Sequence, residues 1–373
     1  VAPLTEGLRI HLVAPVFEKY DAIGNDIAGM RRELSSAGYE VDVFAETWNP
    51  LHDSYTRLLD VSEPIWQDPL AVVIYHQSMG WPKGEQLLFS TKNRVVIRYH
   101  NVTPPEFFSG YSEPHAEACR AGRMSTAQLA RLGTATYWCA STFNAQELVE
   151  LGVSWDSCRV LAPLHRVPEL RRQAPDLSFY EQLEHRTVLL FTGGLKPNKG
   201  HRTLIEAFAV YHHGRNPRST LLLPGSAPPA LGSYVEELRA LAVSKGVADS
   251  VMFTGAVSEE LLRFCYQRAD IFVCASEHEG FCVPLAEAMA FGLPIVALAR
   301  TAIPETVGPA GLVFDDCQPE VFAEAFDHLV KHPEVSAALG RQGRERYRRS
   351  FAPPVLSRLL LNLVNELRAP ASA

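Results

Sequence analysis

Short apolar runs alternate with longer stretches of helical periodicity along most of this chain. Residues 9–16 read as a buried strand. The turn Asp21-Ala22-Ile23-Gly24-Asn25 follows. Asn25, whose side chain accepts from the unpaired N–H groups of a helix start, is the expected N-cap of a helix with Ile27, Met30 and Leu34 on one face. Gly38 ends that helix, and 39–45 is the next strand. Strand, helix and strand within about 37 residues is the size of a parallel crossover. Further strands are predicted at 71–76, 94–100, 136–140 and 158–162, with helices at 113–132 and 141–151. Residues 164–186, with Pro168, Pro175 and little periodicity, read as a connection. A second alternation starts at 188–192 and continues through helix 201–213, strand 220–223, helix 231–245, strand 251–254 and helix 258–268. Strand 269–276, a helix opened by 277–287, strand 295–299 and helices 319–331 and 334–349 complete it. After Pro353-Pro354, Leu356, Leu359, Leu360, Leu363 and Leu367 recur at helical spacing. The pattern is α/β, in two halves.

The bulk numbers agree with two halves. The chain has 373 residues, beyond the roughly 250–300 at which one core stops growing. It is 47% hydrophobic and 21% charged, with a formal net charge of -7, which argues against a global electrostatic grip on nucleic acid. Seven cysteines, an odd number without a C-x-x-C pair and several in apolar runs, fit a reducing cytoplasmic compartment better than a disulfide framework. No apolar run approaches the ~18 residues of a spanning helix. Residues 1–7 lack the positive start and apolar stretch of a signal peptide.

Two segments carry the chemistry. In the first, Glu277-His278-Glu279-Gly280-Phe281-Cys282-Val283-Pro284-Leu285-Ala286-Glu287, an apolar turn opens a helix between two carboxylates. Unsatisfied backbone N–H groups at a helix start favour an anion such as phosphate. A carboxylate on each side can accept from sugar hydroxyls, so the segment describes a nucleotide-sugar, with pyrophosphate in the middle and polyol at both ends. The second segment, Thr192-Gly193-Gly194-Leu195-Lys196-Pro197-Asn198-Lys199-Gly200, sits between a strand and a helix, where glycines admit close approach of a ligand and lysine supplies charge to a diphosphate. Pro224-Gly225-Ser226 and 253–257, ending at Val257, also follow strands and are candidate walls for a nucleobase.

The strand–turn–helix–strand context around Glu279 and Glu287 resembles the E-x7-E signature of retaining glycosyltransferases of family 4, closely over 188–315 and more loosely from about 9 to 368. The resemblance implies a GT-B fold: two Rossmann-like α/β/α domains facing a cleft, an acceptor domain at 1–170, a donor domain at 171–352, and a helix at 353–373 crossing back to the first domain. It implies that Glu279 contacts the donor hexose, Glu287 the ribose diol, and Lys199 the diphosphate. His100 would contact the donor sugar, and Ile23-Gly24-Asn25 would stand where the family has a first-domain glycine loop. Lys199 and the backbone N–H groups within Phe281–Leu285, Pro284 excepted, would stabilise the leaving diphosphate. Gly280, Phe281, Cys282 and Val283 thus join the donor-binding set, with His100, Lys199 and Glu279 as catalytic candidates. The family's diphosphate-holding arginine is replaced by Gly194, and Lys196 and Arg300 are the nearby cations.

The resemblance implies no metal. No metal spacing is found among the histidines, and Asp315-Asp316 is not D-x-D. The expected activity is transfer of a mannose- or glucose-type hexose from GDP- or UDP-sugar to a glycan, lipid-linked or small-molecule hydroxyl, with GDP-mannose slightly favoured. A face of Arg120, Arg123 and Arg131 leaves peripheral contact with the inner face of a membrane open, against a solvated helix. Two rivals stand beside this reading. One is a nucleotide-sugar-binding protein whose site has decayed, motivated by Gly194. The other is a nucleotide-sugar epimerase. A dehydrogenase would want G-x-G-x-x-G after an early strand, and 21–29 lacks it.

Overall fold

The computed structural model describes residues 8–19 and 21–368; residues 1–7, read above for signal-peptide character, lie outside them. The chain folds as two compact units. The first takes the residues up to Pro105, Glu117–His165 and the chain from Ala352 on; the second takes Glu106–Ala116 and Arg166–Phe351.

The first unit is built on seven strands: β1 (Arg9–Phe17), β2 (Glu40–Trp48), β3 (Thr56–Leu58), β4 (Val72–Gln77), β5 (Arg94–Tyr99), β6 (Thr136–Cys139) and β7 (Cys158–Val160). They lie in the order β3-β2-β1-β4-β5-β6-β7, every neighbouring pair parallel. A parallel sheet is covered on both faces, which is why β4 is buried at all six positions. The strand order reverses between β1 and β4, the place where open α/β sheets leave a crevice beyond the strand ends. The helix Pro353–Glu366 belongs to this unit. Its Leu356, Leu360, Leu363 and Val364 pack into the core that holds Met30, Leu34 and Ile10.

The second unit holds β8 (Thr187–Leu190), β9 (Ser219–Pro224), β10 (Val251–Gly255), β11 (Ile271–Cys274), β12 (Ile295–Leu298) and β13 (Gly311–Phe314). Their order is β10-β9-β8-β11-β12-β13, again parallel, with the reversal between β8 and β11. Segment Glu106–Ala116 joins this unit through Tyr111, whose hydroxyl donates to Glu237 at 2.8 Å and whose ring packs on Tyr234.

Several local expectations need correction. The first helix is Ala22–Ser36, so Asn25 is not its N-cap. Asp21 is, accepting from the Gly24 N–H, and the Asn25 N–H is already bonded to the Asp21 carbonyl. An aspartate that meets an orphan amide three residues on starts the helix as well as Asn does, and starts it earlier. Gly24 and Asn25 are therefore first-turn helical residues rather than loop. Residues 164–186 carry the short helices Val167–Arg172 and Tyr180–Leu183. β3 and the helix Pro82–Ser90 were not expected at all; three residues are too few for a period, and Pro82 reads as a breaker although it is tolerated in a first turn.

Candidate functional site

The loops after β8 and β11 meet at the strand-order reversal of the second sheet. The close approach needs Gly200: its φ is +68°, and any Cβ there would collide with the Ala275 carbonyl at the end of β11. Asn198 stitches the two loops, donating from Nδ2 to the His278 carbonyl at 3.0 Å and accepting the Glu277 N–H at 2.9 Å. Lys199 Nζ is thereby held 2.6 Å from Glu279 Oε1, with side chains 22% and 9% exposed. Burial alone would lower the Lys199 pKa, but the carboxylate beside it outweighs that and the net shift is upward, so the ammonium is charged. The Glu279 N–H donates to Thr301 Oγ1 at 2.9 Å, which fixes the backbone that carries the carboxylate.

Just beyond Glu279, Cys282 caps the helix Val283–Phe291 with φ +70°, a left-handed geometry uncommon for a side chain other than glycine. Among the described residues the Cys282 and Val283 N–H groups have no acceptor, and they stand at the positive end of the helix. The Leu285 N–H is bonded to the Cys282 carbonyl at 3.0 Å, so it leaves the set of expected anion donors. Glu287 lies in the second turn. Tyr266 donates to its Oε2 at 2.5 Å and pairs with Thr192 Oγ1 at 2.7 Å, tying the second carboxylate to the first residue of the glycine loop. One face of the Glu287 carboxylate is thus held, and burial raises its pKa against the lowering effect of the Tyr266 hydrogen bond.

That shift has a consequence. A carboxyl whose folded pKa is raised contributes stability that is lost as pH rises through that pKa, so at neutral pH the ionised Glu287 is a burden on the ligand-free fold. Glu287→Gln is expected to melt at or above the wild-type temperature at neutral pH, while affinity for a nucleoside diphosphate falls by roughly tenfold or more as a charge-assisted hydrogen bond is lost. Melting curves with and without UDP and GDP check both halves; a destabilised variant with unchanged nucleotide affinity contradicts them.

The strand ends on the other side of the loop are knitted together. Gly225 has φ +153°, and a Cβ there would strike the Gly193 carbonyl. Its N–H donates to the Gly255 carbonyl at 2.9 Å, two residues before Val257, while the Gly193 N–H donates to Pro224 and the Leu195 N–H to Ser226, both at 3.0 Å. A Cβ at Gly194 would stand 3.6 Å from Lys196 Cε and 3.9 Å from Lys196 Cγ, so the lysine side chain lies across the direction a side chain at 194 would take. Arg300 is spent elsewhere, donating to the Ala299 and Asp315 carbonyls at 3.0 and 2.9 Å.

His100, at the end of β5, belongs to a buried cluster in the first unit that the sequence did not show. Its Nε2 is 3.0 Å from His76 Nδ1 and 3.6 Å from Asp26 Oδ2. Asp26 is fully buried and accepts from Arg98 Nε at 2.8 Å and from the Leu164 N–H at 2.7 Å. Burial would raise the Asp26 pKa, but Arg98 and the two imidazoles hold it below the usual carboxylate range. Asp26, His76 and His100 are close enough to share a cation, yet both Asp26 oxygens are already engaged by protein donors, which does not suit a metal.

Burial lowers both imidazole pKa values, His76 to about 4 and His100 well below the ordinary range; Asp26 raises them and Arg98 lowers them, and burial dominates. In the second unit burial and Lys199 lower His201 to about 3. The unfolded chain takes up protons below pH 6.5 that these histidines refuse in the fold. Stability is fully present above that pH and falls as pH drops from 6.5 towards 4, by about 3 kcal/mol for His76 alone. Urea denaturation between pH 7 and 5 checks this; a flat profile contradicts it.

Comparison with known proteins bears on the site directly. Residues 176–346, which lie within the second unit, match the family described as glycosyl transferases group 1. The GDP-mannose-dependent alpha-(1-6)-phosphatidylinositol monomannoside mannosyltransferase of Mycobacterium tuberculosis is 32% identical over 173 residues, 44% of this chain and 43% of that protein. The D-inositol 3-phosphate glycosyltransferase of Corynebacterium efficiens is 30% identical over 184 residues, 49% of this chain and 43% of that protein. The chain thus spans under half the length of these curated relatives. Among solved structures, Anabaena Alr3699/HepE in complex with UDP and glucose covers 96% of this chain and 100% of its own at TM-score 0.74 and 18% identity. Sucrose-phosphate synthase from Thermosynechococcus elongatus covers 96% and 99% at TM-score 0.76 and 20% identity. The likeness is one of fold, and the two parallel-sheet Rossmann-like units have the GT-B fold. No helix among the described residues is long and apolar enough to cross a membrane.

Proposed function

We propose that this protein is a retaining glycosyltransferase that moves a hexose from a nucleoside-diphosphate sugar to a hydroxyl acceptor, without a metal. The observation that carries the reading is the Lys199–Glu279 pair at the reversal of the second sheet, beside the unbonded Cys282 and Val283 amides. Lys199, Lys196 and those amides, with Gly194, Gly280 and Phe281 as close backbone, grip the diphosphate. Glu279 accepts from hexose hydroxyls. Glu287, oriented by Tyr266, accepts from the ribose diol, and Gly225 and Val257 border the base. As the C1–oxygen bond breaks, its electron pair stays on the diphosphate, where a cation and aimed N–H groups lower the barrier by about 3–4 kcal/mol per donor. The acceptor oxygen bonds C1 on the same face and its proton passes to the leaving phosphate. In the first unit His100 keeps a neutral hydrogen-bonding imidazole, its ring set by His76 and Asp26.

The relatives named as GDP-mannose-dependent and the neighbour crystallised with UDP and glucose support GDP-mannose and UDP-glucose as the first two donors to try. A glycan or lipid-linked acceptor and peripheral contact with the inner face of a membrane complete the proposal. The test is to incubate the protein with UDP- and GDP-sugars and an acceptor panel, following nucleotide release and the product anomer. The second reading, a nucleotide-sugar-binding protein without transfer, draws on Gly194; it predicts nucleotide binding with no product. A changed sugar without acceptor points instead to an epimerase.

A further inference from the structure

We propose that a second anion site lies in the second unit, beside Tyr266, and that it takes a phosphate-bearing ligand. A cavity of about 430 Å³ there is lined by Arg171, Arg263, Arg344, Tyr266, Gln267 and Phe291, with no aspartate or glutamate in its wall. That is the size of a small-molecule pocket. None of the three arginines is in an ion pair among the described residues, in a chain of net charge -7 with many paired arginines elsewhere. Arg263 Nε is buried and has no hydrogen-bond partner. Arg344 is seated by design: Gly292, at φ +77°, has no Cβ to displace its guanidinium, which donates to the Phe291 carbonyl at 3.4 Å. That contact accounts for Arg344 as a helix-end cation, and Arg171 stands in the last turn of Val167–Arg172, which leaves Arg263 without such a role.

Three guanidiniums with donors to spare suit the bidentate geometry of phosphate oxygens, and the Tyr266–Phe291 stack, 5.1 Å between centroids at 10°, gives the ligand an aromatic floor. The chemistry is a phosphate monoester or diester, on a soluble metabolite or on a lipid headgroup. Because Tyr266 lines this cavity and holds Glu287 and Thr192 with its hydroxyl, occupancy alters nucleotide affinity, and nucleotide alters phosphate affinity by the same factor. This coupling rests on the donor role proposed for Glu287; the binding itself does not.

The experiment titrates inorganic phosphate and glycerol phosphate into the full chain by calorimetry, alongside Arg263→Gln, Arg171→Gln and Lys199→Ala, each shown folded by its melting curve. The expected result is phosphate binding that survives Lys199→Ala and weakens about tenfold in either arginine variant. Vesicles of phosphatidylcholine with and without phosphatidylglycerol are tested by co-sedimentation; retention that depends on the anionic lipid and on Arg263 assigns the site to a headgroup. Binding lost in Lys199→Ala and unchanged in Arg263→Gln, or no binding of either probe or vesicle, overturns the proposal. UDP and GDP titrations of wild type and Arg263→Gln keep the donor reading separate. Intact nucleotide binding with no phosphate binding sinks only this site, and nucleotide binding absent from both sinks the donor reading.

Discussion

Lys199→Ala is expected to lower kcat/KM for the sugar donor by about 10²–10³-fold, the loss seen when one preorganised donor to a developing oxyanion is removed. Two effects add here. The cation that meets the leaving diphosphate disappears, and Glu279, only 9% exposed, loses the partner 2.6 Å away that holds it in place. Lys199→Arg keeps the charge but not the compact ammonium geometry, so partial rescue is expected. Glu279→Gln keeps the shape and one acceptor and should lose turnover while remaining folded. Steady-state kinetics with circular dichroism as the folding control reads all three. Unchanged turnover in both the alanine and glutamine variants places the chemistry elsewhere.

Asp26→Ala is expected to produce the largest stability loss, about 3–5 kcal/mol, because it leaves a buried guanidinium uncompensated. Arg98 and Asp26 are both fully buried, and Asp26 also satisfies the Leu164 N–H and faces both imidazoles. The double variant Asp26→Leu with Arg98→Met removes both charges and should lose far less than Asp26→Ala, since an apolar replacement of a buried pair is often close to neutral. Urea denaturation of the two variants measures the difference. A single variant within about 1 kcal/mol of wild type contradicts a strongly coupled network.

The parts legible in the sequence were those encoded locally. Apolar runs at strand length and the periodicity of Ile27, Met30 and Leu34 reveal two parallel α/β halves, and an eight-residue spacing reveals Glu279 and Glu287. Lys199 apart, what positions those carboxylates was not legible, because the supporting groups arrive from other elements. Tyr266 sits in an unremarkable amphipathic helix, Thr301 follows another strand, and Asn198 looks like a turn residue. Arg98 is a charge within the strand Arg94–Tyr99, and only the fold shows that it is paired there with Asp26, 72 residues earlier. An arginine inside an apolar strand, with an aspartate on the inner face of the first helix, is the signal that would have found the pair. The Asn25 cap failed for a subtler reason: Asp21 offers the same chemistry earlier in the chain. Arg171 was read as part of an irregular connection, so its cavity had no counterpart in the pattern of the chain.

Calorimetric titration of UDP and GDP into wild type, Lys199→Ala and Glu287→Gln measures whether the second unit holds a nucleoside diphosphate through these residues. Saturable binding of at least one nucleotide at one site per chain, weakened in both variants, is the expected result. Absence of binding for either nucleotide, or binding that neither substitution alters, contradicts it.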